Sequence, residues 1–436
     1  MRVMKWSMIA LAVAAGTSQM AVASSQDESK GFVEDSKLNV LIRTFYMNRD
    51  ARHGASIANS KAGLDNSYFE ETSIGPRVLF SSGFTQGTIG VGIDAHTLSQ
   101  VKLDSGRGRT RGADSFATDS EGRPQDTQSE AGAAIKFRLS DTVLKYGNQF
   151  VSSPVFATDD SRLLPEVATG TLITSNEIKG LELTAGRFTG LNSQVQTGHD
   201  SAKQGSSIYT LRSANIVGAS YKFTENFSGA IHASDVEDFW KKQYVNLNLV
   251  IPVSDDQSFT TDFNAYRSKD DGRKLAGDLD NKVWSLSGAY SIGAHTFTVA
   301  HQRSSGPTGY NYGVDGGGTV FLANSVQISD FVGPNERSWQ ARYDLNMASY
   351  GVPGLSFMTR YITGDNIQLT DGTSNVEGKE HEWNFETKYV IQEGPAKDLS
   401  FRLRHSINRA NSVENDANYN DFNDTRLIID YPLSIL

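Results

Sequence analysis

The sequence predicts an all-β chain that closes into a transmembrane antiparallel barrel of about 16 to 18 strands, with short turns at one end and long loops at the other. Alternation is the first reason. In the stretch Leu399–Ile407, Leu399, Phe401, Leu403 and Ile407 share one face and Ser400, Arg402, Arg404 and Ser406 the other, because side chains alternate along a strand. A half-buried soluble sheet would turn such arginines to bulk water. Recurrence of small, polar or basic residues on one strand face throughout the chain points instead to a polar lumen inside an apolar wall. Composition is the second reason: 40 glycines, 10% aromatics and only 38% hydrophobic residues suit many short strands and turns. The third is that no apolar run after the first residues approaches the roughly 20 residues a membrane helix needs. A chain that crosses a membrane without such helices does so as a barrel.

Residues 1–23 read as a secretory signal, with Arg2 and Lys5 ahead of an apolar run from Met8 to Ala15 and Ala21-Val22-Ala23 as the cleavage site. Residues 24–436 then form a single barrel domain in a bacterial outer membrane. The chain has no cysteine, which excludes disulfides and a lipid-modified cysteine anchor. A net charge of −9 argues against a nucleic-acid partner.

The elements follow in order. Leu38, Val40, Ile42 and Tyr46 oppose Asn39 and Arg43, although Leu41 and Phe45 spoil the alternation. A polar stretch from Asp50 to Asn66 suits an outer loop. Ile89, Val91, Ile93 and Ala95 oppose Gly90, Gly92, Asp94 and His96, and Gln100 to Gln128 reads as a loop. Ala133, Ile135, Phe137 and Leu139 face away from Ala134, Lys136 and Arg138, with a tight turn at Ser140-Asp141-Thr142. Val151 to Gly170 lacks the periodicity of an element, and Lys179-Gly180 is a second tight turn. Strands follow around Val217–Phe223, Phe227–Ala233, Val245–Ile251, Phe259–Ala265 and Trp284–Tyr290, and Gly306 to Gly318 reads as a glycine-rich outer loop. Trp339, Ala341, Tyr343 and Leu345 oppose Gln340, Arg342 and Asp344; Leu355, Phe357 and Tyr361 oppose Ser356 and Arg360; Trp383, Phe385 and Tyr389 oppose Asn384, Glu386 and Lys388. A last strand, Arg426 to Leu436, closes on the first. Tyr46, Trp284, Tyr290, Trp339, Tyr343, Trp383 and Tyr431 fall near strand ends on the apolar face, as interface girdles require.

These faces turn Arg43, Lys136, Arg138, Lys222, Arg342, Arg360, Lys388, Arg402, Arg404 and Arg426 inward, tempered by Asp94, Asp262, Asp344 and Glu386. Cations lining a channel concentrate anionic groups, and a carboxylate can pass from one guanidinium to the next. The competing role for each is a brace across the wall. No G-x-S-x-G, H-E-x-x-H or phosphate-loop pattern occurs, so the reading is not an enzyme and needs no cofactor or metal. An outer-membrane lipid hydrolase and a sealed structural barrel are the rivals from other classes.

The run Lys145-Tyr146-Gly147-Asn148-Gln149, then Pro154-Val155-Phe156 and Ser161-Arg162-Leu163-Leu164-Pro165-Glu166, resembles the OprD family of substrate-specific outer-membrane porins. So do Phe321–Gln327, Ser338–Leu345, Ala348 to Leu355 and Asp430-Tyr431-Pro432-Leu433-Ser434. The resemblance implies a monomeric 18-stranded barrel, surrounded by outer-membrane lipid and inserted by the barrel-assembly machinery. It implies an inward loop near Val151 to Gly170, whose Asp159, Asp160 and Arg162 join Ser325 and Asp330 at a constriction. It also implies a basic ladder, carried here by Arg43, Arg52, Lys388, Arg402, Arg404 and Arg426, with Lys136, Arg138, Arg342 and Arg360 as further inward cations. Gly318 and Ile328 depart from the pattern of members that take basic amino acids, and Leu436 replaces a terminal aromatic. The function this implies is passive uptake of small carboxylate-bearing solutes such as basic amino acids or short peptides. Aromatic or other small organic carboxylates are the alternative.

Overall fold

The computed structural model describes residues 26–53, 57–110, 115–197, 209–314, 317–370, 375–418 and 421–436. The leader expected at 1–23 and Gly316 of the glycine-rich loop lie outside them. Eighteen strands form one sheet: β1 Lys37–Ala51, β2 Tyr68–Ser81, β3 Ile89–Asp104, β4 Thr127–Leu139, β5 Thr142–Gln149 and β6 Val167–Ile178. Next come β7 Leu181–Asn192, β8 Ala214–Lys222, β9 Phe227–Val236, β10 Trp240–Ser254, β11 Gln257–Asp270 and β12 Asp280–Ile292. The ring ends with β13 His295–Ser305, β14 Arg337–Asn346, β15 Leu355–Thr370, β16 Asn375–Val390, β17 Ser400–Ala410 and β18 Phe422–Ser434. Each pairs antiparallel with its neighbours, and β1 meets β18 from Asn39↔Ser434 to Ala51↔Phe422. Closure leaves no unpaired edge to face lipid.

Alternation holds where it was read most cleanly. Val217, Ile231, Trp339, Phe385 and Leu403 all lie exposed on the outer face, the position a lipid-facing residue takes. Four expectations change. The strand β2 was not foreseen, because its upper turns invert the pattern: Phe69 is buried inside while Glu70 and Thr72 face out. At 14 residues it exceeds the 9–11 or so needed to cross the bilayer, so its upper end need not be apolar outside. The segment Gln100 to Gln128 is only partly loop, since β3 runs to Asp104 and β4 begins at Thr127. Val151 to Gly170 contains a small strand pair, Ser152–Ser153 with Phe156–Ala157, and the start of β6. The last strand begins at Phe422, four residues earlier than read.

The remaining breaks in alternation have one cause, two apolar clusters inside the lumen. Phe45, Met47, Phe69, Leu98 and Phe422 on the wall pack with Leu163, Leu164 and Val167. Across the barrel Tyr244, Tyr266, Val283 and Trp240 pack with Val151, Val155, Tyr310, Val314, Val320 and Leu322. Burying these side chains, at about 25 cal/mol per Å² of apolar surface, pulls residues 150–166 and much of 306–336 into the bore. The loop expected outside at Gly306 to Gly318 is thus the start of a longer segment that folds inward.

Candidate functional site

The two inward loops leave a cavity of about 1310 Å³ lined by Arg77, Asp160, Glu182, Asp262, Arg342, Asp344, Arg360, Arg402, Arg404 and Ser325, among others. Its walls differ in sign. The strands β14–β18 bring Arg342, Arg360, Arg402 and Arg404 to the cavity against Asp344, while Lys388, Arg426, Glu386 and Asp424 stand on the same strands outside its lining.

The register places three pairs of cations directly opposite each other: Arg342↔Arg360, Lys388↔Arg402 and Arg404↔Arg426. Like charges so placed destabilise a sheet, so the acids between them matter. Asp344 holds Arg342 at 2.8 Å. One carboxylate, Glu386, serves both Arg402 at 2.7 Å and Arg404 at 3.4 Å, and the Arg402 side chain stays 40% exposed. Arg360 hydrogen-bonds Asn384 at 2.6 Å, and among the described residues it has no ion pair. No partner is seen for Lys388 there either. The expected ladder members Lys388, Arg402 and Arg404 and the further cations Arg342 and Arg360 are therefore brought together on one wall.

The other expected cations sit elsewhere. Arg43 donates to Asp430 at 2.7 and 3.1 Å and to Asp160 at 3.3 Å. Arg52 stands at the loop end of the barrel, paired with Asp50 and about half exposed. Arg426 is 5% exposed, held by Asp424 at 2.8 Å and by the Gln327 carbonyl at 3.1 Å. Lys136 binds Asp94 and Ser81, both at 2.7 Å, and Arg138 donates to Gln26 at 2.8 Å. Both lie close to the Phe84 ring, at 5.0 and 4.3 Å. Both point inward, as expected, but the segment around Gln26 and the turn bearing Phe84 cover them and they do not line the cavity.

At the constriction Asp160 bridges Arg43 and Arg77, the latter at 2.6 Å. Arg77 also donates to the Leu163 carbonyl at 2.8 Å and to that of Arg162 at 3.0 Å. The sequence reading missed Arg77 because it missed β2. It also missed Arg49, which pairs with Asp424 at 2.9 Å between the rings of Phe69 and Phe422; its even spacing from Arg43 was the available signal. Asp159 accepts from the Ser161 amide at 2.7 Å and hydroxyl at 3.0 Å. Burial pushes its carboxyl up, with Arg162 pulling it back. Ser325 lines the cavity and donates to Asp330. Asp330 does not line it, because the loop covers the carboxyl, and that burial pushes its pKa up.

Such a site presents the guanidinium groups of Arg342, Arg360, Arg402 and Arg404 to the cavity. A family model described as outer membrane porin, OprD family, matches residues 30–435. Porin D of Pseudomonas aeruginosa is 45% identical over 460 residues, with 100% of each chain covered. The solved structure of Acinetobacter baumannii OccAB1 matches with a TM-score of 0.85 at 32% identity, covering 95% of this chain and 100% of that one. Pseudomonas aeruginosa OpdK with vanillate matches with a TM-score of 0.79 at 32% identity, covering 93% and 100%. With an 18-stranded ring and loops packed inside it already in place, the chain belongs to the OprD family of outer-membrane porins.

Proposed function

We propose that this porin selects small water-soluble solutes bearing a carboxylate, such as basic amino acids or short peptides, and that Lys388, Arg402, Arg404, Arg342 and Arg360 form the surface the carboxylate touches. The observation that supports this is the set of like-charge pairs Arg342↔Arg360, Lys388↔Arg402 and Arg404↔Arg426. A wall built only for strength would alternate signs across neighbouring strands. Here Glu386 is shared, and the guanidinium of Arg402 keeps donors turned to the bore. Arg43 and Arg426 hold the shape of the passage above, with Asp160, Asp159, Arg162, Ser325 and Asp330 bounding it, and Arg52 meets solutes at the mouth. The protein works as a monomer after loss of residues 1–23.

Aromatic carboxylates are the second reading, supported by the vanillate bound to the related OpdK. Conductance of the purified protein in a planar bilayer separates the two. Block by arginine at lower concentration than benzoate supports basic solutes, and the reverse order supports aromatic acids. Replacing both Arg402 and Arg404 by Ala raises the half-blocking benzoate concentration about tenfold, equivalent to about 1.4 kcal/mol. Unchanged block in an intact barrel shows that these arginines are only braces.

A further inference from the structure

We propose that the outside of the barrel carries a docking site for the phosphorylated headgroup of an outer-leaflet glycolipid, formed by Lys282, Arg303 and Arg337 at the loop ends of β12, β13 and β14. It is independent of the solute the bore selects. Along β12, Asn281 and Val283 are buried inside while Lys282 is exposed; Arg303 stands between the buried Gln302 and Ser304, and Arg337 precedes the buried Ser338. All three therefore point out of the ring. The register gathers them. Arg303 lies directly opposite Arg337, and Lys282 lies opposite Arg267 of β11 on one side and Ser305, two residues from Arg303, on the other. Lys269, two residues along from Arg267, extends the patch.

Cations directly opposite one another on the same face of a sheet are unfavourable unless something offsets them. Neighbouring cations are offset: Arg267 pairs with Asp280, and Lys241 of β10 with Asp271 at 2.9 Å and Asp235 at 3.6 Å. Lys269, Lys282, Arg303 and Arg337 are not, since none of them makes an ion pair among the described residues. The acids in register with them are Asp280, opposite Lys269, and Asp365, opposite Arg337. Nor is the charge a general property of the rim. Across the ring from β11, the loop end of β2 turns Glu70 and Thr72 outward.

Depth identifies what meets the patch. Two residues nearer the middle of the same three strands stand Trp284, His301 and Trp339. His301 stacks on Trp339 with ring centroids 4.2 Å apart and meets Trp284 edge-on at 5.4 Å. Tryptophans on the outer face of a barrel mark the boundary between hydrocarbon and headgroups, and residues 306–336, which join β13 to β14, put this boundary at the long-loop, outer end. Two residues of strand rise about 6.6 Å, and the headgroup layer is roughly 5–7 Å deep on each side of the hydrocarbon. Lys282, Arg303 and Arg337 thus stand at the level of the headgroup phosphates, which guanidinium forks grip with paired hydrogen bonds. In the outer leaflet of a bacterial outer membrane those phosphates belong to a glycolipid, and its acyl chains lie against the aromatic platform below.

The test titrates the full-chain protein in detergent with diphosphoryl lipid A, monophosphoryl lipid A and phosphatidylglycerol, reading bound lipid by native mass spectrometry. Diphosphoryl lipid A binds most tightly. Replacing both Arg303 and Arg337 by Gln raises its Kd roughly tenfold or more, Lys282→Gln raises it by a smaller factor, and replacing both arginines by Lys, which keeps the charge, holds it within about threefold. Lys379→Gln, at an exposed cation of β16 paired with Glu377 at 3.4 Å, changes it by less than about twofold. Three results overturn the proposal: diphosphoryl lipid A binding no tighter than the other two lipids, which leaves only general attraction of anions; unchanged binding in the double Gln variant; or an equal loss in Lys379→Gln. Unaltered benzoate block in the double Gln variant shows that the barrel and its bore are intact when lipid binding is lost.

Discussion

The clamp around Asp160 and the wall around Glu386 use the same residue type in opposite ways. At the clamp Arg43 and Arg77 close on Asp160, Asp430 and the carbonyls of Arg162 and Leu163. Little guanidinium capacity is left for a solute. At the wall Lys388, Arg402 and Arg404 crowd beside one another with the single acid Glu386 between them. Arginine itself therefore does not mark a binding residue. The ratio of cations to acids in its immediate register does, because unmatched charge costs stability and is retained where a ligand completes it.

Breaking the clamp has the larger consequence. Arg77→Ala leaves the Leu163 carbonyl and one side of Asp160 without their donor, in a region where Arg77 is only 5% exposed. Removing one partner of a buried pair costs about 3–5 kcal/mol; Asp160 is 55% exposed, so a value of about 2–3 kcal/mol is expected here. That loosens residues 150–166 from the wall. Single-channel conductance rises and protease cleavage within the loop becomes faster. Conductance and cleavage equal to wild type would show that the apolar packing of Leu163 and Leu164 holds the loop alone.

The wall responds in solute binding rather than in fold. Lys388→Ala removes one member of a like-charge pair, so thermal stability is unchanged or rises by about 0.2–1 kcal/mol, while carboxylate block weakens about two- to threefold. A loss of stability instead would place Lys388 with the braces. Salt sharpens the same contrast. Between 0.1 and 1 M salt the screening length falls from about 10 Å to about 3 Å, so block by carboxylates at the solvated wall weakens. The clamp, charge-matched and with its two arginines mostly buried, keeps its protease resistance over that range. Equal salt response in both regions would erase the distinction.

How far the sequence could see follows from the same physics. Wherever lipid lies outside and water inside, the alternation was legible, as at Trp339, Arg342 and Asp344 or at Phe401, Arg402 and Arg404. It failed at Phe45, Met47 and Phe69, where the interior is a dry surface under a loop and apolar residues occupy both faces. It failed for β2 above the bilayer, where nothing requires an apolar exterior, and with that strand went Arg77. Ion pairing was invisible throughout. Arg402 and Arg426 occupy equivalent alternating positions in the sequence, yet one is 40% exposed and the other 5%, because Gln327 and its loop cover only the second. Porin identity could be read because it depends on strand pattern and long matches; the division of arginines into clamp and wall depends on register.

The smallest effect expected concerns the anchoring of the second inward loop and lies in its response to pH. Glu336 is 1% exposed and accepts from the Gly333 amide at 2.8 Å. Its Oε1 occupies the place a Cβ on Gly364 would take, at 2.1 Å, so a glycine there makes room for the carboxyl. Burial, followed by the nearness of Glu380, pushes the Glu336 carboxyl well above the usual carboxylate range, and Glu414 faces it as a further acid. The fold thus favours the protonated form. Its contribution is complete below the unfolded value of about 4.3 and declines as pH rises through the raised folded value, since the folded protein binds the extra proton. Protease cleavage within residues 306–336 is expected to quicken about two- to threefold between about pH 4 and pH 8 in the wild type. Glu336→Gln, neutral at every pH, stays near the low-pH rate. A pH response that persists in this variant would move the cause to Glu380 or Glu414 and leave Glu336 as a simple hydrogen-bond acceptor.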